Sequence, residues 1–375
     1  MSATLAAVRF MLLGVFVLSV TSCAAPGRNA EAGPRDASVH FANPPGSMKR
    51  TSIVTRLPTL IGRFIQHGLV SQTRDHGHIL LPADVERRYA SLEGKDSITW
   101  IGHMTVLLRL DGRNILTDPW WANYASPVPG LGPKRYAPPA IALEDLPPID
   151  IVVVSHSHRD HLDLDAIARL PRGVAITAVV PIGIGHFFRE RGYARVIELD
   201  WEQSVTVTGV TLTSLPAIHW SKRTMFRTND TLWSALAIEG PSGTRIYFGG
   251  DSDYGPVHTR LASRFGGFDL ALLSIGGFHN DGVHCAPEQC VQIGAELGAD
   301  VLVPLHWGTI YLGEGPPHEL PARFVSAAVA NGYAASSVWV MPIGDTRALP
   351  PPANPRGPRP MLVTARVAPE AGDSD

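Results

Sequence analysis

Cysteine is scarce in this chain, at three among 375 residues. Cys23 stands alone, and Cys285 and Cys290 read as neighbours at the start of one helix. That spacing turns the two side chains to different helix faces, so buried free thiols are expected there rather than a bridge. An excess of either charge is also lacking, with 32 Lys and Arg against 34 Asp and Glu. No strongly basic face is implied, which removes the electrostatic reason to expect nucleic acid as a partner. Long apolar runs are missing too: Phe10–Leu18 is too short for a permanent membrane-spanning helix. The chain shows no repeat of fixed period and no serine or cysteine hydrolase signature. What remains is an ordinary globular balance, 45% hydrophobic with a formal charge of −2, and a notable supply of 15 histidines.

The N-terminus has the plan of an export signal. Arg9 precedes the apolar run, and small residues follow to Val20-Thr21-Ser22-Cys23. This is similar to a bacterial lipobox, after which the cysteine is lipidated and becomes the mature N-terminus. Residues 1–23 therefore read as a lipoprotein-type signal peptide, cleaved just before Cys23, with the protein lipid-anchored to the cell envelope, on the outer membrane or periplasmic side if the source is Gram-negative. A plain secretory signal with an incidental cysteine is the alternative. Residues 24–47, rich in Ala, Gly and Pro, read as a flexible tether. A helical region follows over 48–96. In it Leu57, Leu60, Ile61, Phe64 and Ile65, interleaved with Arg56 and Arg63, predict an amphipathic helix starting near Pro58. Such a helix can rest on lipid or dock on the main domain.

From Ser97 the pattern becomes short apolar runs separated by Gly, Asp and Pro. Strands are predicted at 98–101, 105–110, 114–117, 151–154, 175–180, 205–215, 232–238, 244–248, 270–273, 301–304 and 338–341. Helices are predicted at 165–170, 184–191, 258–265, 287–297 and 320–331. A meander of strands that gives way to strand–helix alternation fits two packed sheets with helices outside, an α+β arrangement over 97–346. The Pro-rich tail, 347–375, is expected to be disordered.

The chemistry concentrates where the apolar strand Ile151–Val154 ends in Ser155-His156-Ser157-His158-Arg159-Asp160-His161. Alternation places His156 and His158 on one side of an extended segment, within reach of one ion. A turn then redirects Asp160 and His161 toward a second. Imidazole nitrogen with carboxylate oxygen suits zinc, with manganese, iron and nickel as alternatives. Three further candidates share the placement of a polar residue just after an apolar strand. They are His219 after Val210–Leu215, Asp251 after Arg245–Phe248, and His306 after Val301-Leu302-Val303.

The string His156–His161 resembles the histidine-rich signature of the metallo-β-lactamase superfamily, and the likeness extends over about Ser97 to Asp345. It is similar above all to the branch containing N-acyl-phosphatidylethanolamine-hydrolysing phospholipase D. The words that carry this are Trp100-Ile101-Gly102-His103, Leu116-Thr117-Asp118-Pro119, Gly132-Pro133-Lys134-Arg135, His219-Trp220-Ser221-Lys222-Arg223, Gly250-Asp251, His284 with Pro287-Glu288, and His306-Trp307-Gly308-Thr309. The resemblance implies an αββα sandwich and two divalent ions, zinc above all. It implies His156, His158 and His219 on one ion, Asp160, His161 and His306 on the other, and Asp251 as the bridge. Asp118 would orient a ligand histidine without touching metal, and His284 would lie near the scissile phosphate. Arg159 departs from the branch, which has tyrosine there, as does Ser252-Asp253 after Asp251.

The implied chemistry is hydrolysis by a metal-bridging hydroxide, with Asp251, His284 and Asp160 as its catalytic set. A phospholipid phosphodiester is the expected substrate, with the membrane reached through the N-terminal anchor. The alternatives are a lactonase or other ester hydrolase of the same fold, and a metal-binding lipoprotein without turnover.

Overall fold

The computed structural model describes residues 40–48, 77–128, 130, 132–170, 175–224, 227–277, 282–310 and 318–352. The signal segment, most of the tether, the 57–65 helix and residues 353–375 of the tail lie outside the described residues. Among those described, no helix is long and apolar enough to cross a membrane.

Thirteen strands form two sheets among the described residues. The first contains β1 (Ser97–Gly102), β2 (Thr105–Leu110), β3 (Arg113–Thr117), β4 (Ile151–Val153), β5 (Thr177–Pro181), β6 (Arg195–Leu199) and β13 (Thr346–Ala348), in the order β13-β1-β2-β3-β4-β5-β6. The second contains β7 (Ser204–Val207), β8 (Val210–Leu215), β9 (Ala235–Glu239), β10 (Arg245–Phe248), β11 (Phe268–Ser274) and β12 (Ala299–Leu305), in the order β12-β11-β10-β9-β8-β7. Six helices accompany them: α1 (Pro82–Ser91), α2 (Leu164–Arg169), α3 (Gly185–Arg189), α4 (Val257–Phe265), α5 (Pro287–Glu296) and α6 (Glu319–Ala330).

Strand alternation sorts the core into layers. On β2, Val106, Leu108 and Leu110 face the second sheet, meeting Leu212, Ile238 and Ile246 in one buried cluster. Leu107 points the other way, into a second cluster with Val152, Val154, Ala178 and Val180, which α2 and α3 cover with Ile167 and Phe188. On the far side, Leu261 of α4, Val291 of α5 and Phe324 of α6 close over the second sheet. Helices, two sheets and helices make the αββα sandwich that the sequence led us to expect. Strand β4 is buried at every position, as an interior strand covered on both faces must be.

Several elements differ from expectation. The run 205–215 is a hairpin, because Thr208 and Gly209 both take positive φ (48° and 95°) and turn the chain tightly between Val207 and Val210. The expected strand 338–341 makes only an isolated bridge from Val338 to Leu302, and the edge is instead closed by β13 against β1. Strand β6 was not anticipated; its edge position leaves it only partly buried, so its apolar signal is weak. Cys285 and Cys290 form a disulfide with Cα atoms 5.5 Å apart. Free thiols were expected on the premise that both cysteines lie within one helix. Cys285 in fact precedes α5, and Ala286 between it and the helix is extended (φ −66°, ψ 155°), so helix-face spacing does not apply.

Candidate metal centre

Parallel pairing brings the candidate residues together. β3 with β4, and β10 with β11 and β12, run parallel, so their C-terminal ends open at the same edge of the sandwich. Asp118 follows β3, His156–His161 follow β4, His219 follows β8, Asp251 follows β10 and His306 follows β12. His284 lies just before α5. The six residues His156, His158, Asp160, His161, His219 and His306 converge on a seventh, Asp251.

Asp251 Oδ2 is the meeting point. It lies 3.1 Å from His161 Nε2, 3.3 Å from His306 Nε2, 3.7 Å from His219 Nε2 and 3.9 Å from His156 Nε2. Its other oxygen accepts from the Ser274 hydroxyl at 2.8 Å. Two sets of donors flank that oxygen. On one side, His156 Nε2 lies 2.8 Å from His158 Nδ1, which lies 3.3 Å from His219 Nε2. On the other, His161 Nε2 and His306 Nε2 are 3.3 Å apart, and Asp160 Oδ2 is 3.7 and 3.8 Å from them. Zinc bonds of about 2.0–2.1 Å in a tetrahedron put ligand atoms about 3.3 Å apart, close to these separations.

The outward-facing atoms fix which nitrogens are free to bind. Asp118 accepts from Ser155 N and the Ser155 hydroxyl, both at 2.6 Å, and from His161 Nδ1 at 2.7 Å. The Ser155 hydroxyl in turn accepts from His156 Nδ1 at 2.9 Å. His219 Nδ1 donates to the Val283 carbonyl at 2.8 Å. With those protons placed, the Nε2 atoms of His156, His161 and His219 turn unshared electron pairs inward, toward one another and toward carboxylate oxygens. Inward lone pairs and carboxylate oxygens at these separations are balanced by a cation, so the donor set fits divalent metal. The rings of the cage differ in how readily they take up a second proton. Burial and the neighbouring His161, His158 and His219 hold His156 well below its ordinary range, and burial takes His158 down to about 3. For His161 burial acts downward too, but the Asp251 and Asp160 carboxylates and the bond to Asp118 outweigh it and raise the ring well above. Asp251, despite burial, is held well below the carboxylate range by His161, His306 and His284.

The backbone is shaped around the site. Asp118 and His306 adopt positive φ, 35° and 65°, a conformation that costs non-glycine residues about 1–2 kcal/mol each. Gly276 makes room for His306: a Cβ there would stand 2.2 Å from His306 Nδ1. Asp163 pins the turn downstream of His161, with one oxygen capping α2 and the other accepting from Trp121 N and Ala122 N at 3.1 and 2.7 Å. His284, with a fifth of its side chain exposed where the other four histidines near Asp251 Oδ2 are nearly sealed, sets its Nε2 3.0 Å from Asp251 Oδ2. Arg159 reaches the Arg223 carbonyl at 3.3 Å, so it turns toward the chain that follows His219.

Other participants were missed in the sequence. Asn43, within the stretch read as tether, accepts from His219 N at 2.9 Å and Trp233 Nε1 at 3.1 Å. Ser155 was visible as a neighbour of the histidines, but its link to Asp118 was not. Ser274 also belongs to the neighbourhood with nothing in its local sequence to mark it, and so does His103, which the word Trp100–His103 singled out without assigning it a role.

The sequence matches a family model described as the beta-lactamase superfamily domain over residues 113–307. An uncharacterized protein of Mycobacterium tuberculosis is 41% identical over 239 residues, 62% of this chain and 64% of that protein. A Caenorhabditis elegans protein named N-acyl-phosphatidylethanolamine-hydrolyzing phospholipase D 1 is 38% identical over 230 residues, 57% of this chain and 64% of its own length. The matched stretch thus spans just under two thirds of these relatives. Among solved structures, a possible metal-dependent hydrolase from Veillonella parvula superposes with a TM-score of 0.55 at 18% identity, covering 68% of this chain and all of that one, a likeness of fold.

Proposed function

The chain belongs to the beta-lactamase superfamily domain family, and from that premise we propose that it is a metal-dependent hydrolase, a dinuclear phosphodiesterase of phospholipase D type. Its substrate in this reading is N-acyl-phosphatidylethanolamine or a related phospholipid. The observation that carries the two-ion part is the placement of Asp251 Oδ2 between two donor sets, His156/His158/His219 and Asp160/His161/His306. The phospholipid part is supported by the C. elegans relative's name. An exported, lipid-anchored enzyme is supported by the Phe10–Leu18 run and Cys23.

Two divalent ions held by His156, His158, Asp160, His161, His219, Asp251 and His306 would supply Lewis acidity toward a phosphoryl oxygen and would make a bound water more acidic. The protein's own groups do the rest. Asp118 and Ser155 lock the rings of His161 and His156, so the donors are set before substrate arrives. In the reaction a water gives up one proton to solvent as its oxygen bonds to phosphorus, and the bond from phosphorus to the head-group oxygen breaks. His284, the most solvent-facing of the histidines around Asp251 Oδ2, delivers a proton from Nε2 to that departing oxygen.

The test is a turnover panel of N-acylated and diacyl phospholipid vesicles, bis-p-nitrophenyl phosphate and lactones. Phosphodiester turnover should fall at least about 1,000-fold with chelator and in Asp251→Ala, and by about 100-fold or more in His284→Asn. Lactone turnover without phosphodiester turnover would overturn the phosphodiesterase reading. Stoichiometric metal with no ester turned over would overturn the enzymatic one.

A further inference from the structure

His103 sits in the turn between β1 and β2 and is fully buried. Its backbone is left-handed, with φ at 56°, a region that few non-glycine residues occupy. The surroundings hold it there. Its N–H donates to the Thr309 hydroxyl at 2.9 Å, and its carbonyl accepts from Trp100 Nε1 at 2.9 Å and His306 N at 3.3 Å. The ring packs edge-on to Trp120, with centroids 4.9 Å apart, and tilted against His306 at 4.0 Å. One ring nitrogen, Nδ1, is buried without a hydrogen-bond partner; the other, Nε2, lies 3.1 Å from Asp160 Oδ2.

Asp160 is the weak point of its half of the centre. Its side chain is 18% exposed, whereas His161, His306 and Asp251 are 2% exposed or less. It also sits on a turn, where a carboxylate can rotate toward water. Resting on the two-ion reading above, we propose that His103 is a positioning residue for the second ion. As the neutral Nε2–H form it donates to Asp160 Oδ2 and keeps that oxygen beside His161 Nε2 and His306 Nε2. This mirrors the other arm of the same half-site, where the Asp118 carboxylate holds His161 Nδ1 at 2.7 Å. A histidine steadies a ligand carboxylate on one side, and a carboxylate steadies a ligand histidine on the other. His103 need not bind the ion itself. Asp160, His161, His306 and the shared Asp251 oxygen already supply four donors, and the 3.1 Å contact is an ordinary hydrogen bond.

Two variants separate this role from mere packing. His103→Phe keeps a ring between Trp120 and His306 but has no donor, and His103→Gln places an amide N–H near the position of Nε2. Chelator-stripped full-length protein is titrated with zinc by calorimetry and with cobalt by visible absorption, alongside thermal melts of the metal-free forms. We expect wild type to take up two ions. His103→Phe should take the first with affinity unchanged and the second about 10–100-fold more weakly, and His103→Gln should recover at least half of that loss on a logarithmic scale. Second-ion affinity within twofold of wild type in His103→Phe overturns the proposal. So does equal weakness of the two variants, since the donor would then not matter. If His103→Phe does not fold, an unaltered second-ion affinity in His103→Gln supports the role, and a 10-fold or greater loss there overturns it. Wild type that takes up fewer than two ions would instead bring down the two-ion reading on which the role rests.

Discussion

Asp251 divides its two oxygens between different tasks, with Oδ1 held by Ser274 and Oδ2 shared by the histidines of both donor sets. Asp118 works at one remove, joining Ser155 and His161 through three contacts of 2.6–2.7 Å while it is wholly buried. Burial pushes its carboxyl up, against the opposing pull of His161 and Ser155, so a nearby positive charge is needed to keep it ionised. Asp118→Asn keeps the shape but removes the charge that orients His161. Zinc affinity at the second site should fall about 10–100-fold, measured by competition with a chromophoric chelator; unchanged affinity would contradict Asp118's orienting role. The histidine string was legible because three imidazoles and a carboxylate fall within six positions, a density that packing does not require. His219, Asp251 and His306 were legible as polar residues at apolar strand ends. The roles of His103, Asn43 and Ser274 were not, since each meets the site only through contacts across the fold: His103 with Asp160 spans 57 positions, and Asn43 with His219 spans 176.

At the scale of single elements, two small devices support the strand ends. Helix α3 has only five residues, too few to be stable on its own. Glu198 of β6 secures its start: Oε1 accepts from Gly183 N and Gly185 N at 2.7 and 3.2 Å, and Oε2 from Arg189 at 2.8 Å. Partial burial pushes its carboxyl up, but the Arg189 and backbone bonds outweigh this and hold it below the ordinary glutamate range. A depressed carboxylate contributes stability above its unfolded pKa and loses it as pH falls through the folded one. Glu198→Gln should therefore cost about 1–2 kcal/mol at pH 7, and the gap from wild type should close as pH drops below about 4.5. Urea unfolding at several pH values measures this, and a gap that does not depend on pH would contradict it. The second device is the Cys285–Cys290 bridge, which ties the residue after His284 to the first turn of α5. Closing a loop with a separation of 5 removes about 2 kcal/mol of chain entropy from the unfolded state. The double serine variant should lose about that much by denaturant midpoint, and an unchanged midpoint would contradict the estimate. The bridge was not legible because helix-face geometry was applied to a cysteine that stands outside the helix. The 205–215 hairpin escaped for a related reason: Thr208-Gly209 interrupts an otherwise continuous strand signal with two positive-φ residues.

At the scale of the molecule, neither sheet holds the centre alone. β3 and β4 of the first sheet lead into Asp118 and His156–His161, while β8, β10 and β12 of the second lead into His219, Asp251 and His306. The sandwich order was readable from the change of strands in a meander to strands alternating with helices. Its edges were not: β6 and β13 are short, partly exposed strands whose weak apolar signal gives pairing little to announce. Because the donors come from both sheets, occupancy by two ions would join the sheets at their shared edge and tie the site's geometry to the whole fold. The most direct test is anomalous diffraction from crystals of the zinc-loaded protein, recorded on either side of the zinc edge. The account predicts two peaks straddling Asp251 Oδ2, one among His156, His158 and His219, the other among Asp160, His161 and His306. A single peak, or none at this edge of the sandwich, would contradict it.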